Sequence, residues 1–87
     1  MSERRYTPEE IAERGDAIYE QRIRARVAPH EHGKFVVIDI DTGDYEVDLD
    51  DLAATKRMLA RRPDAVTYGV RIGHPTAYRI GRVSRQS

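Results

Sequence analysis

The chain has no cysteine. That excludes a disulfide staple, a thiolate zinc site and thiol catalysis, and it suits a reducing compartment. No apolar run approaches the roughly 20 residues that a helical membrane span requires. The opening Met1-Ser2-Glu3-Arg4-Arg5 leads into a charged segment instead of the apolar core of a secretory signal. The expectation is a cytoplasmic protein with no membrane partner. Internal repeats and low-complexity stretches are also missing, as are a phosphate loop, a serine nucleophile elbow and a zincin helix. What remains is 87 residues, enough for one domain and too few for two. A chain of this size buries only about 60% of the surface its unfolded form exposes, so its core is thin.

Net charge is zero, yet its distribution is uneven. Residues 28–52 hold eight acidic side chains (Glu31, Asp39, Asp41, Asp44, Glu46, Asp48, Asp50, Asp51) against Lys34. Residues 53–87 hold eight basic ones (Lys56, Arg57, Arg61, Arg62, Arg71, Arg79, Arg82, Arg85) against Asp64. Two readings stand: the blocks face each other, within the fold or across a homodimer, or the basic third meets an anionic partner such as nucleic acid. Net neutrality weighs against nucleic acid, whose electrostatic binding needs an uncompensated field.

Two helices and three strands are legible. Thr7-Pro8-Glu9-Glu10 is a capping box with proline at the first helical position. Ile11, Gly15, Ile18, Tyr19, Ile23 and Val27 come next at helical spacing, supported by Glu10–Arg14 and Glu20–Arg24. Pro29 ends the run. A helix of some 20 residues is about 30 Å long, so one end is expected to project or to pack on another chain. Gly15 within the apolar stripe implies close approach of the sheet or of a second copy of the helix. Ile11, Gly15, Ile18 and Tyr19 are therefore candidates for self-association as a homodimer.

Residues 34–41 read as a central strand, apolar on both faces at its start. Asp41-Thr42-Gly43-Asp44 is a tight turn, and Tyr45-Glu46-Val47-Asp48 completes a hairpin. A second helix comes after it, with Asp48 as its cap and Leu49, Leu52, Ala53, Leu59 and Ala60 as its expected buried stripe. Arg57, Arg61 and Arg62 suit its C-terminal end, and Pro63 stops it. Residues 65–72 form the third strand, with Val66, Tyr68, Val70 and Ile72 on one face. Residues 77–83 are a candidate fourth, edge strand. The prediction is an α+β fold in the order α-β-β-α-β, with an antiparallel sheet ordered 2-1-3. It forms a single domain over residues 7–83, between flexible ends at 1–6 and 84–87. Helix 2 should lie on one face by a right-handed crossover.

Chemistry-bearing patterns are weak. Asp41-Thr42-Gly43 resembles the aspartic-protease signature, and Ile80-Gly81-Arg82 the apolar-Gly-Arg segment of the retroviral form. A proton-sharing Asp pair is poorly served by Asp44 next to the motif, and a hairpin turn accounts for the same letters. Counted from Asp39, a calcium loop would need glycine at position six and a bidentate Glu at twelve, where Asp44 and Asp50 stand. His30, Glu31, His32 and His74 need no metal. No cofactor or metal is expected. Residues 71–82 interleave arginine and tyrosine with glycine turns, as many partner-binding surfaces do. Arg71, His74, Tyr78 and Arg79 are the candidate recognition residues.

The run from Lys34 to Asp48, with Arg62-Pro63-Asp64-Ala65 and Arg71-Ile72-Gly73 beyond it, resembles a group of short bacterial proteins of uncharacterised or antitoxin-like type, over residues 6–82. The resemblance implies a small partner-binding protein and assigns no functional residue. The sequence thus points to a non-enzymatic protein–protein interaction module, antitoxin-like or regulatory. Nucleic-acid binding through the basic third is the alternative.

Overall fold

Two reciprocal bonds open the first helix. The computed structural model describes residues 6–27, 30–73 and, for the backbone alone, 79–83. Thr7 Oγ1 accepts the Glu10 N–H at 3.1 Å, and Glu10 Oε1 accepts the Thr7 N–H at 2.9 Å. Each bond satisfies a donor that a helix terminus leaves without a partner. Helix α1 runs Pro8–Ile18, continues through a π-helical turn at Tyr19–Ile23 and ends as α2, Arg24–Val27. Glu20 and Arg24 pair at 2.8 Å as expected. Arg14 does not turn to Glu10; it donates to Ile40 O at 3.4 Å and lies 5.1 Å from the Tyr6 ring centre.

The π turn arises from the spacing of the apolar stripe. Ile11, Gly15, Tyr19, Ile23 and Val27 are all buried, and each is four residues from the next. In an α-helix a four-residue step overshoots a full turn by about 40°, so four steps would carry the stripe about 160° round the axis. The Arg24 N–H instead reaches back five residues to Tyr19 O. The wider turn takes up an extra residue and returns Ile23 and Val27 to the face of Ile11. The C-terminal end of this helix therefore does not project: Val27 is 5% exposed and Ile11 4%.

Strands β1 (Phe35–Asp39), β2 (Tyr45–Asp48), β3 (Val66–Arg71) and β4 (Arg79–Val83) form one antiparallel sheet ordered β2-β1-β3-β4. The expected 2-1-3 core is present, with β4 added at its edge. Gly43 adopts φ +85°, which its lack of a side chain permits, and closes the β1–β2 turn by donating to Asp39 O at 2.7 Å.

Strand alternation divides the core between two faces. Val36, Ile38 and Ile40 join Val66, Tyr68, Val70, Ile72 and the α1–α2 stripe. Val37 points the other way and packs with Ala54, Met58 and Ala65 beneath α3 (Asp51–Arg61). The helices thus cover opposite faces, α3 over β1 and β2, α1 over β3 and β4.

Helix α3 departs from expectation in two respects. Its cap is Asp50, whose carboxylate accepts the Leu52 N–H at 3.0 Å; Asp48 instead accepts the Asp50 N–H and an Arg57 N–H. Its buried side is Ala54, Thr55 and Met58, while Leu49 and Leu52 are 72% and 57% exposed. The rotation that sets Arg57 and Arg61 over the carboxylates of the hairpin also brings Ala54 and Met58 onto Val37. Leu52, about 160° round the axis from Ala54, must then face away.

Of the expected flexible ends 1–6 and 84–87, residues 1–5 and 84–87 lie outside the described residues, as do helix-ending Pro29 with Ala28 and residues 74–78. Among the described residues no helix is long and apolar enough to cross a membrane.

Candidate functional site

The two charge blocks meet inside the chain. Arg57 donates to Glu46 at 2.9 Å, to Asp48 at 2.8 Å and to the Val47 carbonyl at 2.9 Å. Arg61 pairs with Glu46 at 2.8 Å and lies 3.6 Å from Asp44. Arg62 pairs with Asp44 at 2.9 Å and lies 3.5 Å from Asp39. Four acidic residues of the hairpin, two arginines of α3 and Arg62 at its C-terminal cap form a continuous ladder. Hydrogen bonds from Arg57, then from the Asp50 N–H, hold the Asp48 carboxyl below the ordinary aspartate range. Hydrogen bonds to Asp48 and Glu46 raise the Arg57 guanidinium in turn. Asp39 is the buried member, 2% exposed, and its other oxygen accepts the Asp41 N–H at 2.9 Å. The ladder is a structural device: its charges neutralise one another and tie α3 to the hairpin.

The other chemistry-bearing residues are scattered. Asp41 sits at the hairpin turn and accepts the Tyr6 hydroxyl. Thr42 Oγ1 accepts the Asp44 N–H at 3.1 Å, so the Asp-Thr-Gly letters serve a turn. Glu31 pairs with Lys34 at 2.6 Å, and His30 is exposed. The ring of His32 occupies the space that a side chain at Gly73 would need. No group of three or more His, Asp or Glu that could hold a metal occurs among the described residues.

Of the recognition candidates, Arg71 is the one whose side chain is described. It ends β3 directly opposite Phe35, with its guanidinium carbon 5.6 Å from the Phe35 ring centre. Its Nε is buried with no hydrogen-bond partner among the described residues. Arg79 lies in β4 opposite Val70, where the backbone alone is described. His74 and Tyr78 fall outside the described residues.

The self-association candidates pack on the sheet, one of the two neighbours their pattern allowed. Ile11 and Tyr19 belong to the main core, 4% exposed each, and Ile18 is half-buried against it. A side chain at Gly15 would overlap the Tyr68 ring. The element that approaches Gly15 is thus the chain's own sheet. A second copy could reach Ile11, Gly15 and Tyr19 only by displacing it.

Sequence reasoning missed the surface at the β2–α3 junction. Leu49 and Leu52 are the large hydrophobic side chains left exposed among the described residues. Leu49 comes directly after Asp48, which stands opposite Phe35 in the sheet, and Phe35 stands opposite Arg71. The Arg71–Phe35 pair thus lies at the end of the sheet where the chain leaves β2 for Leu49, while Leu52 faces away from the sheet on α3. The cap signal at Asp50, read in place of Asp48, would have set Leu49 outside the helix.

No family model, no curated protein and no solved structure matches the chain.

Proposed function

We propose that the protein acts by binding another protein through the β2–α3 junction, with Leu49 and Leu52, and the sheet end of Phe35 and Arg71 from which that junction starts, and that it catalyses no reaction. The observation that carries this reading is the exposure of the two leucines, 72% and 57%, at the β2–α3 junction, where β2 ends on Asp48 opposite Phe35. Scattered single leucines are ordinary on a surface. Here both fall within four residues at one junction, and the sheet end at which Leu49 begins that junction carries an aromatic and an arginine, the side-chain types enriched where partners dock. An antitoxin-like or regulatory partner, the expectation from the sequence, is part of the same proposal. Binding of nucleic acid by the basic third is the weaker reading, because Arg57, Arg61 and Arg62 are already paired with carboxylates of the chain.

The test is a comparison of the unaltered chain with a Leu49→Ser/Leu52→Ser variant as baits in native cell extract, beside a gel-shift assay at low salt. The unaltered chain should retain a stoichiometric protein partner. The variant should lose it with a melting temperature nearly unchanged, since exposed substitutions shift stability by about 0.5 kcal/mol or less. Equal retention by both baits would refute the surface. A salt-sensitive shift of DNA or RNA, with no protein retained, would replace this reading by the nucleic-acid one.

A further inference from the structure

The sheet has two edges, and they are treated differently. In β1, Asp39 donates to Asp44 O, while Ile40 donates to Val66 O. Odd-numbered residues of β1 therefore bond β2, and even-numbered ones bond β3. Carried through the registers, this alternation points the backbone groups of Tyr45 and Val47 out from β2, and those of Arg79, Gly81 and Val83 out from β4. On the β2 side the Arg57 guanidinium lies on the outward Val47 carbonyl at 2.9 Å, a charged cover that discourages strand addition. On the β4 side no strand of the described residues pairs with the outward groups.

We propose that β4 pairs with β4 of a second copy, antiparallel, about a twofold axis at Gly81. The five residues of β4 overlap fully in one antiparallel register, which sets Gly81 against Gly81 of the second copy, Ile80 against Arg82, and Arg79 against Val83. Gly81 points its N–H and C=O outward, so the axis passes through a pair that exchanges two hydrogen bonds. Glycine at that position allows close approach of another backbone. In this register no arginine stands directly opposite another, whereas sliding one strand two residues along the other, to centre on Arg82, would set Arg82 opposite Arg82. The contact is self-complementary, as a twofold interface must be. It joins two four-stranded sheets into one of eight strands, and it is separate from the leucine surface proposed above.

Amide exchange on the full chain reads the contact directly. On raising the concentration to about 1 mM, where even a millimolar contact is substantially occupied, the amides of Arg79, Gly81 and Val83 should gain protection. Those of Ile80 and Arg82, already bonded to β3, should change little. Absence of that alternation, with the three outward amides unprotected at the highest concentration, overturns the proposal. Because the chain has no cysteine, Arg82→Cys introduces a single thiol, two residues out of register with its own copy and on the sheet face away from α1, which a short bis-maleimide should link chain to chain. Arg79→Cys, four residues out of register with its own copy, should link poorly, and equal linking of the two refutes the register. Gly81→Pro deletes an outward N–H and no bond to β3. It should stay folded by circular dichroism and become monomeric, and a dimer that survives it lies elsewhere. Should Gly81→Pro unfold, the exchange and cross-linking results decide.

Discussion

Gly15 carries no side chain because the ring of Tyr68, rising from β3, fills the space beside it. Tyr68 is 3% exposed, and its hydroxyl bonds Asp16 at 3.2 Å, one residue along the same helix. Helix and strand are thus fastened at one point by a missing Cβ and a phenol. Glycine in a helix costs about 1 kcal/mol against alanine, so Gly15→Ala would stabilise an isolated helix. Within this fold the added methyl meets ring atoms near the Tyr68 backbone, which cannot swing away as a flexible side-chain end could. Overpacking of this kind costs about 1–3 kcal/mol. Gly15→Ala should therefore lower the urea midpoint, and Tyr68→Ala in the same chain should reverse the sign of the alanine's effect. An unchanged or raised midpoint for the single variant would show that the ring is not fixed there.

Among the elements, the interrupted helix is the most constrained. Its stripe stays on one face because a π turn absorbs one residue between Tyr19 and Ile23. Removing an exposed residue from that turn should convert it to ordinary α-helix and leave the orientation of Arg24–Val27 unchanged. Deletion of Gln21 would place the five apolar residues within an arc of about 80° in a regular helix, against about 160° for the present spacing. The deletion variant should hence keep a cooperative melt and lose far less stability than Ile23→Ala. The latter empties a site that is 1% exposed and should cost about 2–5 kcal/mol. If deletion is as damaging as the alanine substitution, the turn has a role beyond register. Helix α3 is held by a different force. Its buried apolar contact is small, Ala54 and Met58 on Val37 and Ala65, and its orientation is set by the ladder of arginines.

At the scale of the whole molecule, opposite charge joins distant parts of the chain. The arginines of the ladder are 42–47% exposed at their side chains, so solvent screens each pair and the network acts through its number of contacts. Its acid response has a definite sign. The Asp48 carboxyl is held low in the folded state, so its contribution is present above the unfolded aspartate value of about 3.9 and is lost as pH falls through the folded value. The thermal midpoint should therefore drop on acidification below about pH 4. With Arg57→Ala the drop should be shallower, because the hydrogen bond that lowers Asp48 is gone. Parallel pH profiles for the two proteins would mean that the ladder adds nothing to stability.

Local order was legible from residues close in the chain. The Thr7–Glu10 capping box, the glycine turn of the hairpin and the alternation along β1 and β3 need only period and spacing, because interactions within a few residues decide them. The 2-1-3 order follows from the element order and the few connections a hairpin with a crossover helix allows. The four-residue spacing from Ile11 to Val27 even contained the π turn, though helical periodicity read at 3.6 residues does not separate it from an α-helix. Opposite charge blocks were visible as well, and their facing each other was one of two readings, but not which arginine meets which carboxylate. Tertiary structure decided which face of α3 is buried, since Leu52 and Ala54 lie on opposite sides of one helix and cannot both reach the sheet. It decided likewise that Gly15 receives Tyr68 and not a second helix, and that Arg57 covers one edge of the sheet. Each of these is a competition between surfaces far apart in sequence, settled by the combination of burial and charge pairing that the assembled sheet permits.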